Sequence, residues 1–81
     1  MSRSRNMNLY VELVSPERLR DFIALLKAMG IQIFDVELER KGQSGGGVSV
    51  VLYLHLPKSQ SHTKLLANLS YSPDVRATDE I

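Results

Sequence analysis

The sequence predicts an α+β domain whose elements follow the order βαββαβ, a four-stranded antiparallel sheet with two helices on one face. Three observations predict it. The hydrophobic period changes along the chain from two to 3.6, back to two for a pair of segments, to 3.6 again, and ends in a short strand-like tail. The first helix carries its own start and stop signals in Ser15-Pro16-Glu17 and Gly30. Finally, right-handed crossovers allow one arrangement of two split βαβ units, with strands one and three central and strands two and four at the edges, the ferredoxin-like order.

In the first strand Leu9, Val11 and Leu13 alternate with Tyr10, Glu12 and Val14, giving one aliphatic and one mixed face. Ser15 is placed to cap a helix, Pro16 to occupy its first turn without wasting a donor, and Glu17 to sit at the positive end of its dipole, so the helix is expected from Pro16. Leu19, Phe22, Ile23, Leu26 and Met29 form its apolar stripe, and Gly30 supplies the left-handed residue that closes it.

The second strand holds a discontinuity. Ile31 and Ile33 share one parity, whereas Phe34, Val36 and Leu38 share the other, so a bulge or kink is expected between Ile33 and Phe34. Asp35, Glu37 and Glu39 line the opposite face, and the glycine-rich stretch 42–47 after Arg40 and Lys41 reads as a hairpin loop. In the third strand Val48, Val50, Leu52, Leu54 and Leu56 make an unbroken aliphatic face, backed by Ser49, Val51, Tyr53 and His55, and Pro57 ends it. A shorter second helix, of about three turns, is capped by Ser59 or Ser61 and buries Leu65, Leu66 and Leu69, with His62, Lys64, Asn68 and Ser70 outward. Val75 to Ile81 completes the sheet as an edge strand, with Val75, Ala77 and Ile81 facing inward.

The 81 residues make one domain with 43% hydrophobic and 23% charged residues, an ordinary globular composition with no apolar run near the roughly 20 residues that span a bilayer. Residues 1–6 are polar and read as a disordered arm or linker stub, and residues 7–81 as the domain. The absence of cysteine removes disulfides, thiolate metal sites and cysteine nucleophiles. A net charge of +1 does not provide the clustered cations that nucleic acid requires, and the sheet face that an RNA-binding domain would use is acidic here.

Candidate chemistry is sparse. Glu12, Asp35, Glu37 and Glu39 with His55 share the face the helices leave open and include divalent-cation ligand types, but carboxylates spread along strands also serve to discourage edge-to-edge aggregation. His62 beside Ser61 and Thr63 lacks an oxyanion loop and reads as a surface histidine. The run Gly45-Gly46-Gly47 precedes a strand, not a helix, which excludes a phosphate loop. No acid–base pair, metal set or cofactor motif emerges, so the chain reads as non-enzymatic, with no cofactor. Tyr10, Val51 and Tyr53 cluster on the open face and form the candidate partner surface, through which, or through an edge strand, the domain would bind a protein or a second copy of itself.

The stretch from Ser15-Pro-Glu-Arg-Leu-Arg-Asp-Phe-Ile to Met29-Gly-Ile-Gln-Ile33, leading into Val36-Glu-Leu-Glu39, resembles the first helix and second strand of ACT-type regulatory domains. With the strand ending Leu54-His-Leu-Pro57 and the closing Leu65-Leu-Ala-Asn-Leu69 and Pro73-Asp-Val75, the order and spacing are similar to the soluble C-terminal domain of the MgtC/SapB family of bacterial inner-membrane proteins. That resemblance implies a cytoplasmic, ACT-like regulatory or interaction domain attached to a membrane part linked to magnesium-limited growth and intracellular survival, with strand two as the dimer edge. It also raises an alternative, a sensor that binds an amino acid or divalent cation at a dimer interface. Ligand-binding ACT domains usually carry Asp and Gly at the first strand–helix turn; here the candidate ligand loop is Val14-Ser15-Pro16, which offers neither glycine's close approach nor a donor at the proline.

Overall fold

The computed structural model describes residues 4–39 and 46–81. Its elements are β1 (Asn6–Leu13), α1 (Arg18–Ala28), β2 (Gln32–Glu39), β3 (Val48–His55), α2 (His62–Leu69) and β4 (Val75–Glu80). All pairings are antiparallel in one sheet of order β2-β3-β1-β4, so the chain has the ferredoxin-like α+β fold expected from its periodicity. Residues 1–3 of the arm and 40–45 of the glycine-rich loop lie outside the described residues.

The core is where the aliphatic parities meet. Met7, Leu9, Val11 and Leu13 of β1 and Val50, Leu52 and Leu54 of β3, with Leu56 beyond it, are buried together with Phe22 and Leu26 of α1 and Leu65 and Leu69 of α2. Two central strands supply most of this core, each flanked by a strand on both sides. The ordered chain begins before residue 7: Asn6 opens β1, and the Leu56 amide donates to the Arg5 carbonyl at 2.8 Å, extending the β1–β3 ladder.

Four local expectations need correction. The first helix begins at Arg18, two residues after Pro16, because residues 15–17 form a tighter turn in which the Arg18 and Leu19 amides donate to the Ser15 and Pro16 carbonyls. The Ser15 side chain bonds the Glu17 carboxylate instead of capping a helical amide. Phe34, grouped by parity with Val36 and Leu38, is 64% exposed. It is the extra residue of a bulge: Ile33 faces Leu54 and Asp35 faces Tyr53, leaving Phe34 without a partner of its own at the slip expected between Ile33 and Phe34. In β4 a second bulge inverts the tail, since Leu13 faces Val75 but Glu12 faces Ala77. Ala77 therefore lies on the open face, Thr78 and Glu80 take the helix-facing positions opposite Val11 and Leu9, and Ile81 is exposed.

The fourth correction is His62. Placed outward by the helical pattern, it is buried, because as the first residue of α2 it turns beneath the helix toward the ends of β1 and β4. Its Nδ1 lies 2.7 Å from a Glu80 carboxylate oxygen and its Nε2 2.7 Å from the Ser4 carbonyl oxygen. The helix has eight residues, about two turns. Ser61 is its cap, accepting the Lys64 amide at 3.0 Å. In the first crossover α1 closes as expected: Gly30 has φ of 80°, its amide donates to the Lys27 carbonyl, and the Ile31 amide donates to the Leu26 carbonyl, the two bonds of a Schellman motif.

Candidate functional site

The open face of the sheet and its β2 edge hold most of the residues with chemical potential. Register sets the neighbours. Tyr10 lies directly opposite Val51, Glu12 opposite Ser49, and Asp35, Glu37 and Glu39 opposite Tyr53, Val51 and Ser49. On the far side Asp79 faces Tyr10. No lysine or arginine occupies an open-face position of β1, β2 or β3, so this surface is acidic.

Tyr10, Val51 and Tyr53 are thus brought together, in an arrangement the pattern did not reveal. Val51 is only 6% exposed although no helix covers it. Tyr10 and Glu37 flank it across the sheet, and Ser49 and Tyr53 flank it along its own strand. Tyr10 runs along β1, its hydroxyl donating to Glu12 at 2.7 Å and lying 3.1 Å from the Ser49 hydroxyl, which is itself buried. Tyr53 reaches across to β2, donating to Glu37 at 2.8 Å. The tyrosines therefore flank the valine, and each hydroxyl holds a carboxylate in place.

These contacts perturb both phenols. For Tyr10 the Ser49 hydrogen bond favours the phenolate, but the bond to Glu12, partial burial and the nearby charges of Glu12 and Glu39 prevail, and its pKa lies above the ordinary tyrosine value. The pKa of Tyr53 is raised by its bond to Glu37, with burial and the charges of Glu37, Asp35 and Glu39 adding to it. Neither tyrosine is arranged to lose a proton near neutrality, as an acid–base catalyst would need to be.

The candidate cation ligands do not converge. Among the described residues no three of His, Asp or Glu come together in a way that can hold a metal ion. His55 instead donates from Nδ1 to Asn6 Oδ1 at 2.8 Å, and its ring lies 6.2 Å from that of Phe34.

The candidate ligand loop is committed to the fold. The Val14 amide donates to the Asp74 carbonyl at 2.9 Å, and the Ser15 and Pro16 carbonyls accept from the first turn of α1. Bonding to its own backbone amide and to the Ser15 hydroxyl lowers the pKa of the Glu17 carboxyl, with the neighbouring Arg18 contributing. This turn presents filled hydrogen bonds to an amino-acid ligand.

A concavity of about 220 Å³ lies at the start of α2, lined in part by Ser4, Arg5, Lys58, Gln60, His62 and Thr63. It is smaller than ordinary small-molecule sites. Gln60 Nε2 is buried without a partner, but it has almost no accessible surface to offer a ligand.

β2 lies at the edge of the sheet, as the crossover rule predicts. Among the described residues β2 pairs with β3 alone, leaving its outer side open along eight residues. Phe34 and Leu38 are 64% and 53% exposed, Phe34 beside His55 on the open face and Leu38, opposite Val50, on the helix-facing side. No protein-family model matches this chain, and no curated protein matches it. Among the described residues no helix is long and apolar enough to cross a membrane.

Proposed function

We propose that this chain is a non-enzymatic regulatory or protein-interaction domain that docks through the edge of β2. The observation that carries the reading is the conjunction of an eight-residue edge strand with exposed Phe34 and Leu38 flanking it. Unpaired strand edges template the addition of another strand, and natural proteins normally protect them with short strands, charges or cover. Here charge protects one face only, through Asp35, Glu37 and Glu39, and the apolar side chains remain accessible.

The parent in this reading is an MgtC-type inner-membrane protein whose cytoplasmic C-terminal part this domain forms, a proposal carried by the sequence resemblance alone. Its check is the gene's reading frame: several hydrophobic spans immediately upstream are expected, and a complete 81-residue frame would sink the parentage while leaving the docking reading intact.

Backbone amide NMR tests the docking reading against the ligand-sensing alternative. A strand partner or self-association is expected to move the amides of Ile33 to Glu39. Shifts confined to Val14 through Leu19 on addition of free amino acids, or to Glu12, Asp35 and His55 on addition of magnesium, would replace it with the sensor reading.

A further inference from the structure

The chemistry of β2 says more about its partner than that it is a strand. Resting on the docking reading above, we infer that the β2 edge takes a foreign extended segment with lysine or arginine at alternate positions and apolar residues between them, rather than a second copy of this chain.

The charge pattern excludes self-pairing first. Two copies joined edge to edge about a two-fold axis run antiparallel and keep their open faces on the same side. Every such register that overlaps β2 over most of its length puts carboxylates opposite carboxylates: Asp35 against Asp35, Asp35 against Glu37, or Asp35 against Glu39 with Glu37 against Glu37. Directly opposed side chains sit with Cβ atoms about 5 Å apart, and like charges at that separation oppose pairing. A basic, alternating segment meets the same row with opposite sign at each position.

The remaining features of the edge fit that occupant. Phe34 at the bulge gives an aromatic surface at one end of the open-face row, on which an aliphatic lysine stem or a guanidinium plane can rest. Leu38, on the other face, meets the apolar residues that alternate with the cations. Tyr53 fixes the Glu37 carboxylate, so the central acid of the row is ordered before a partner arrives. The Val36 amide donates to the Asp35 carboxylate at 2.8 Å, a local bond that a partner carbonyl can displace, freeing that carboxylate for a cation.

The test titrates the chain with an amidated Lys-Val-Lys-Val-Lys-Val-Lys peptide and with its glutamate counterpart, following amide shifts and affinity, with sedimentation of the chain alone. The expected result is an unassociated free chain, shifts confined to Ile33 through Glu39 with the lysine peptide, and affinity at least about tenfold weaker for the glutamate peptide. Added salt should weaken the lysine complex. The double variant Glu37→Lys and Glu39→Lys, at exposed positions, should invert the preference. Equal binding of both peptides at β2, or a dimer formed through β2, would overturn the charge inference and leave β2 as the docking edge. No response at β2 to either peptide, with no self-association there, would overturn both.

Discussion

His62 shows how much one side chain can join in a domain of this size. It ties the start of α2 to the carbonyl of Ser4 ahead of β1 and to Glu80 at the end of β4, three segments far apart in sequence. Each ring nitrogen lies within hydrogen-bond distance of an acceptor oxygen. Replacement by alanine removes both and opens a void beneath the helix. His62→Ala is expected to cost about 1–3 kcal/mol, read from urea unfolding midpoints at unchanged slope. A loss below a few tenths of a kcal/mol would show that water takes over both bonds. The tyrosines give a second residue-scale prediction. Because the bond to Glu37 is the largest cause of the raised Tyr53 pKa, Glu37→Gln should bring Tyr53 down toward the ordinary phenol value, followed by ring resonances across an alkaline titration. The sign for stability follows: a folded pKa above the unfolded one gives a contribution that is complete below the unfolded value and is lost as pH rises through the folded value. The Glu37→Gln variant should therefore lose less stability over that alkaline window than the parent chain.

At the scale of elements, what could be read in advance was whatever local chemistry decides. Gly30, the parity of β3 and the slip at Ile33–Phe34 are properties of neighbouring residues, and all three are found in place. The direction of the Phe34 side chain was not legible, since a bulge permits either of two residues to be the extra one and only the partner strand decides. The β4 tail failed for the same reason: its bulge opposite Glu12–Leu13 depends on β1, and six residues are too few for period two to display an interruption. His62 was misplaced because a first-turn residue answers to the elements below the helix end more than to the helical stripe. The bulge makes a sharp prediction. Deleting Phe34 leaves Ile33, Asp35 and Val36 in unbroken alternation, so the β2–β3 register should heal, with the Ile33–Leu54 and Val36–Leu52 cross-strand contacts retained in nuclear Overhauser spectra. Deleting Val51 from β3, which has no spare residue, should instead turn one half of that strand inside out and unfold the domain.

At the scale of the molecule, burial and surface are divided unevenly, and that division separates stability from partner binding. The central strands β1 and β3 hold the core, while β2 contributes only half-buried Ile33 and Val36 to it and leaves Phe34 and Leu38 in solvent. The aromatic and acidic character of the open face is legible in the sequence, but not that its tyrosines spend their hydroxyls on Ser49, Glu12 and Glu37; hydrogen bonds across strands have no signature in a single strand's pattern. The consequence is that the middle of the open face offers a partner little apolar surface, whereas the β2 edge exposes Phe34 and Leu38. Leu52→Ala, at a fully buried position in β3, is expected to cost about 2–5 kcal/mol. For a domain whose whole margin is on the order of 5–10 kcal/mol, that is a large part of the total. Leu38→Ala removes a side chain that is already mostly in water and should change stability by no more than about 0.5 kcal/mol. Thermal or urea unfolding of the two variants checks the contrast, and a Leu38 variant as damaged as the Leu52 one would mean that β2 is part of the core rather than a docking edge. If the contrast holds, Leu38→Ala leaves a folded domain in which any weakened strand-peptide binding is attributable to the edge itself, since the sheet beneath it is unchanged.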